Sequence, residues 1–132
     1  MILIFTKRSL QPGLTALAIQ GNIHCGPECV RLENEVDSLI AAHETRIILD
    51  MAGVTHADSA AIGAMVRCLS KVKRAGGALR IAAAQPMISY SLKLTKVDRL
   101  IETFATVDQA AQGFSPAPHL PNTGAGNSGN PV

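Results

Sequence analysis

Apolar positions along the chain alternate between two spacings. Ile2 to Phe5 and Leu14 to Ile19 are short aliphatic runs divided by Gln11-Pro12-Gly13, so they predict two strands joined by a turn. Gly21-Asn22 ends the second. Between Glu28 and His43, Val30, Leu32, Val36, Leu39 and Ile40 recur at helical spacing with charges between them, which predicts an amphipathic helix. Arg46 to Met51 holds the unbroken run Ile47-Ile48-Leu49, which suits a central strand covered on both faces and stopped by Gly53. After Asp58 the helical spacing returns. Ile62, Met65, Val66, Leu69 and Val72 form one stripe, Arg67, Ser70, Lys71 and Arg74 face away, and Gly76-Gly77 supplies a left-handed stop. Ala78 to Ala84 then predicts a strand, Met87 to Leu94 a short helix, Ile101 to Ala105 a last strand and Val107 to Gln112 a last helix. Strands alternating with helices indicate an α/β fold with a mixed, mainly parallel central sheet flanked by helices.

Composition changes this picture at the C-terminal end. From Ser115 onward the chain carries four of its seven prolines, no charged side chain unless His119 protonates, and few bulky apolar groups. Such a segment cannot bury enough surface to offset its ordering entropy, so residues 114–132 are expected to be a disordered Pro/Gly/Asn-rich tail behind a folded domain at 1–113. Deletion after Phe114 is expected to leave folding intact, which a thermal melt of the truncated chain checks. With 132 residues there is room for one hydrophobic core and not for a two-domain enzyme.

Charge and aromatic content exclude further classes. A formal charge of +2 is too weak a field to draw nucleic acid, and Tyr90, Phe5, Phe104 and Phe114 offer no series of stacking platforms. No segment approaches the roughly 20 apolar residues that cross a bilayer. Met1 to Phe5 is too short for a signal peptide, with Lys7 and Arg8 on the wrong side of it, so a cytoplasmic location is expected. Cys25, Cys29 and Cys68 are an odd set without a disulfide framework, which reads as reduced thiols.

Candidate chemistry concentrates before the second helix. Asp58 and Ser59 immediately precede its apolar stripe, so one of them is expected to cap it by accepting a hydrogen bond from an early amide. Catalytic readings are poor. Ser59 lacks the Gly-x-Ser-x-Gly elbow of hydrolases, and His56, the nearest base in sequence, has no orienting carboxylate at informative spacing. Asp50 at a strand end has no acidic pair after the first strand, where Thr6, Lys7 and Arg8 stand, so a magnesium-dependent receiver is not supported. His24, Cys25 and Cys29 lack a second ligand pair for zinc. No phosphate-cradling loop occurs, so no cofactor is expected. Lys71, Lys73, Arg74 and Arg80 read as a solvated basic cluster at the helix end.

Ile47-Ile48-Leu49-Asp50-Met51, Gly53-Val54 and Asp58-Ser59-Ala60-Ala61-Ile62-Gly63, followed by Gly76-Gly77-Ala78-Leu79, resemble the signature of STAS domains, the family of anti-sigma factor antagonists. Gln20-Gly21-Asn22-Ile23 upstream and Leu92, Leu94, Val97 and Leu100 downstream extend the resemblance over about residues 2 to 112. The resemblance implies a non-enzymatic regulator in which Ser59 is the phosphoacceptor. It further implies a partner surface of Asp58, Ser59, Ala60, Ile62, Gly63 and Met65, with Ile62, Gly63 and Met65 in or beneath the contact. The implied partners are an anti-sigma factor or serine kinase, which itself binds ATP, and a serine phosphatase; STAS homo- or hetero-oligomers also fit. The alternative within the family is a scaffold subunit of a stress-signalling assembly or of a transporter's cytoplasmic complex. A small Ser-dependent hydrolase is a third class, one that requires turnover lost in Ser59→Ala. The chain departs from the family pattern at three places. Ala60 replaces a second Ser or Thr, Ala61 replaces a frequent Gly whose added methyl could block a partner, and His24 stands where Asp is common. Thr55 is the alternate acceptor.

Overall fold

The computed structural model describes residues 3–24, 26–112 and 114. Strands β1 (Ile4–Gln11) and β2 (Leu14–Ile23) pair antiparallel around Pro12-Gly13, with Gly13 at φ 79°. There follow α1 (Pro27–Ala41), β3 (Arg46–Ala57), α2 (Ser59–Arg74), β4 (Ala78–Ala82), α3 (Pro86–Leu94), a 3-10 turn at Val97–Arg99, β5 (Glu102–Phe104) and α4 (Val107–Gln112). The sheet runs β1-β2-β3-β4-β5, and every pair after the first is parallel. This is the mixed, mainly parallel α/β sheet that the alternating spacings predict.

Alternation along the strands divides the core in two. Leu17 and Ile19 of β2, Ile47 and Leu49 of β3, and Leu79 and Ile81 of β4 share one cluster. It is completed by Leu32, Val36 and Leu39 of α1, Met65, Cys68 and Val72 of α2, and Ile88 and Leu92 of α3. Leu14, Ile48 and Ala82 belong to the other cluster with Ala110 of α4 and the flanking Phe104 and Phe114. The run Ile47-Ile48-Leu49 is therefore covered on both faces.

Several boundaries differ from the sequence reading, each for a local reason. Gly53 does not stop β3, which continues to Ala57. A Cβ at Gly53 would lie 2.9 Å from the Ile19 carbonyl oxygen and 2.7 Å from Gln20 Cγ. Glycine thus permits the close approach of β2 and β3 where their register shifts between Ala18 and Gln20. Thr55 and His56 consequently lie in the strand. In α1 the buried stripe is Cys29, Leu32, Val36 and Leu39, and Val30 is 55% exposed. β4 ends at Ala82 because Ala83 takes φ 59°. The stop at Gly76-Gly77 is present as a Schellman motif. Gly76, at φ 81°, donates to the Lys73 carbonyl at 2.9 Å and Gly77 to that of Val72 at 2.9 Å.

Arg67 and Lys71 leave the buried stripe, as read, and reach α1. Arg67 Nη2 lies 3.0 Å from Glu33 Oε2, and Lys71 Nζ lies 3.4 Å from Glu33 Oε1 and 3.1 Å from Asp37 Oδ2. The hydrogen bond from Arg67 is the main cause holding the Glu33 carboxyl below its ordinary range, against the opposing effect of desolvation. A depressed carboxylate contributes stability that is complete above its ordinary value of 4.5 and is lost as the pH falls through the folded value. Glu33→Gln is expected to cost under about 1 kcal/mol near neutrality and to flatten the acid limb of the stability curve. Urea melts between about pH 7 and pH 3 check this.

Arg80 does not join the basic cluster at the end of α2. Its side chain is on the sheet face covered by α4, with Nη1 donating to the Ala110 carbonyl at 2.7 Å and Nε 3.2 Å from Glu102 Oε1. The guanidinium lies 4.0 Å from the centre of the Phe114 ring and 5.2 Å from that of Phe104. Phe114, which composition groups with the tail, thus packs against the domain. The remainder of the tail, from Ser115, lies outside the described residues.

Candidate functional site

The parallel register of β2 and β3 sets Asn22 beside His56 and Ile23 beside Ala57, so both strands deliver their following residues to one end of the sheet. His24 leaves β2 there, and Asp58 leads from β3 into α2. The Asp58 amide donates to the Ile23 carbonyl at 3.2 Å, which ties the two exits together. Asp58 is extended (φ −83°, ψ −179°), and its Oδ1 accepts from the Ala61 amide at 2.9 Å. Of the two cap candidates the structure selects Asp58. Its second oxygen, Oδ2, lies 3.9 Å from His24 Nδ1.

Ser59 is the first residue of α2 and is exposed. Its hydroxyl has no hydrogen-bond partner among the described residues. Thr55 differs. Its hydroxyl donates to Asn22 Oδ1, an atom that also lies 3.4 Å from His56 Nδ1. A phosphate on Ser59 would meet the positive end of α2, where amides and dipole favour an anion.

Surface in the first two turns of α2 comes from Asp58, Ser59, Ala60 and Gly63, whereas Ile62 and Met65 are buried. The latter two therefore lie beneath any contact surface and support it. Ala61 is fully buried as well, so the methyl at this departure from the family pattern points into the core and presents nothing to a partner. Asp50 sits within β3, not at its end, and accepts from the Ala52 amide at 3.1 Å.

Beside this corner is a cavity of about 230 Å³, lined by His24, Thr55, His56, Ala57, Asp58, Met87, Ile88 and Ser91. Neither the His24–Asp58 nor the Asn22–Thr55 approach is evident from sequence spacing, because each joins residues 33 or 34 positions apart. The parallel register of β2 and β3 makes them neighbours. The contribution of α3 was signalled by a second apolar set, Met87, Tyr90 and Leu94, out of phase with the buried Ile88 and Leu92.

Cys68 is a core thiol. Burial pushes its pKa up to about 12, which suppresses the thiolate. Cys29 is buried too, its Sγ donating to the His24 carbonyl at 3.2 Å. Cys25 lies outside the described residues. Among the described residues no three His, Cys, Asp or Glu side chains converge as metal ligands, and no helix is long and apolar enough to cross a membrane.

An antiparallel hairpin feeding a parallel sheet, with an aspartate-capped, serine-led helix at the end of the central strand, defines a small α/β domain of the STAS type. The family model for the STAS domain matches residues 9–110, and the chain belongs to that family. The fold is shared with an anti-sigma factor antagonist from Mycobacterium paratuberculosis, at 17% identity over 84% of this chain and 92% of that one, with a TM-score of 0.74. It is shared with the phosphorylated form of the Bacillus cell fate determinant SpoIIAA, at 13% identity over 83% of this chain and 97% of that one, with a TM-score of 0.64. A sulfate transporter family protein from Wolinella succinogenes also has it, at 15% identity over 78% and 85% of the two chains, with a TM-score of 0.63.

Proposed function

We propose that this chain is a non-enzymatic regulatory binding protein of the anti-sigma factor antagonist kind, and that phosphorylation of Ser59 controls its choice of partner. The unphosphorylated form binds an anti-sigma factor or serine kinase through Asp58, Ser59, Ala60 and Gly63, over the buried Ile62 and Met65. The partner supplies ATP, and a serine phosphatase resets the switch. One observation carries this reading: Ser59 is exposed at the head of α2 and has no partner among the described residues, whereas the competing Thr55 hydroxyl is held by Asn22. The solved phosphorylated form of SpoIIAA, which has this fold, supports it.

Phosphate mapping by mass spectrometry on chain purified from its own cells tests the acceptor. A phosphate on Ser59 that persists in Thr55→Ala and disappears in Ser59→Ala is expected. Phosphate confined to Thr55 would contradict the assignment. The second reading, a STAS subunit of a transporter's cytoplasmic complex or of a stress-signalling assembly, draws on the likeness to the sulfate transporter family protein.

A further inference from the structure

Six large apolar side chains stand exposed among the described residues, and four of them come from one stretch: Met87 (75%), Tyr90 (60%), Leu94 (65%) and Leu100 (56%). The other two, Ile4 and Val30, belong to β1 and α1. Helical spacing places Met87, Tyr90 and Leu94 on one face of α3, while Ile88 and Leu92 on another face fill the core. The helix thus has one apolar face used by the fold and a second that is open. Exposed contiguous apolar surface of this kind marks an interaction site. On the Met87 and Ser91 side the open face runs into the 230 Å³ cavity.

Positive charge accompanies this face along the chain. Between Pro86 and Ile101 the chain carries exposed Lys93, Lys96 and Arg99, and its single acid, Asp98, is half-buried. None of the three cations forms an ion pair among the described residues, whereas Lys7, Arg67, Lys71 and Arg80 are each paired with a carboxylate.

From these features we infer that the open face of α3 and the adjoining cavity are a docking groove for an acidic amphipathic helix of a partner protein. An apolar anchor of that helix enters the cavity, and its carboxylates lie over Lys93, Lys96 and Arg99. A lipid surface fits less well, because it presents no discrete side chain of a size to anchor in a cavity of about 230 Å³. A second copy of this chain fits less well too. A two-fold contact through this face would set Lys93, Lys96 and Arg99 of one copy near the same cations of the other. The groove reaches the head of α2 through Asp58, so a partner seated in it lies beside Ser59. That last connection rests on the proposed function; the groove does not.

Tyr90 is the chain's single tyrosine and there is no tryptophan, so tyrosine emission reports on this face alone. The probe is a synthetic helical peptide free of Tyr and Trp, with a leucine stripe flanked by glutamates, compared with a lysine-flanked counterpart. The expected result is a saturable change in Tyr90 emission with the glutamate peptide, and affinity at least about tenfold weaker for the lysine peptide, with a gap that narrows as salt is added. Met87→Ser combined with Leu94→Ser is expected to weaken the glutamate peptide by about tenfold or more, and Val30→Ser to leave it unchanged. These positions are exposed, so folding is not at issue. The inference is overturned by no saturable change or by equal affinity for the two peptides. It is also overturned by a response confined to phosphatidylglycerol vesicles, or by an emission change that tracks dimerisation in sedimentation. The titration involves no phosphorylation chemistry, so its failure leaves the Ser59 assignment standing, and failure of that assignment leaves the titration unaffected.

Discussion

Ser59→Asp is expected to leave the melting temperature within about 3 °C of wild type and to weaken a kinase-type partner roughly a hundredfold to a thousandfold. The two effects separate because the added charge meets different surroundings in each state. In the free protein the carboxylate is solvated at the positive end of α2, worth about 0.3–1 kcal/mol, and this is offset by repulsion from Asp58 next to it. The Asp58 cap itself, Oδ1 to the Ala61 amide, does not involve Ser59 and stays in place. In a complex the same carboxylate must be desolvated at a packed interface. A cost of about 3–4 kcal/mol there corresponds to the stated loss of affinity. Thermal melts and isothermal titration of the partner check the two halves. A large drop in melting temperature would reassign Ser59 to a structural role.

Gly77→Ala is expected to destabilise the fold by about 3 kcal/mol or more, read as a shift of the urea midpoint. A Cβ at this position would fall 1.9 Å from the Thr45 carbonyl oxygen and 2.7 Å from its carbon. Both are backbone atoms and neither can swing aside. The Thr45 carbonyl accepts from the Ala78 amide at 3.0 Å, and the Gly77 amide closes the end of α2 on Val72. Relief of the clash would therefore pull the start of β4 away from the segment entering β3 and loosen the helix end. Gly63→Ala provides the contrast, since among the described residues the added Cβ would meet only Arg67 Nη1 at 3.6 Å, and a helix-interior alanine gains up to about 1 kcal/mol over glycine. Opposite signs at Gly77 and Gly63 are the expected pattern. A Gly77→Ala protein as stable as wild type would contradict the packing at that corner.

Much of the fold was legible because local and global signals agree. The Ile47-Ile48-Leu49 run reads as a doubly covered strand and is one. Asp58 reads as a cap and accepts the Ala61 amide, and Gly76-Gly77 reads as a helix stop and forms a Schellman motif. What escaped the reading depends on contacts across the sheet. Gly53 reads as a breaker in isolation, and only the nearness of Ile19 and Gln20 explains a glycine inside a strand. In α1 the choice between Val30 and Cys29 turns on a single step of helical phase, which side-chain hydrophobicity alone decides wrongly. Arg80 follows Gly76-Gly77 in sequence and reads there as one of the cations of the helix end. Strand alternation turns it to the opposite face, between two phenylalanines.

At the candidate site the head of α2 was legible and its neighbours were not. Ser59 and its cap are adjacent in sequence, so spacing sufficed. His24 and Asn22 reach that corner only because β2 and β3 run parallel in a particular register. The side of α3 lining the cavity is brought in by the core packing of Ile88 and Leu92.

The most direct test of the central claim is capture from native lysate with ADP present, using wild-type and Ser59→Asp baits side by side and mass spectrometry of the retained proteins. Recovery of an ATP-binding serine kinase by the wild-type bait alone is the predicted result. Retention of one scaffold or transporter complex by both baits would contradict it and leave Ser59 as an exposed first residue of α2 with no switching role.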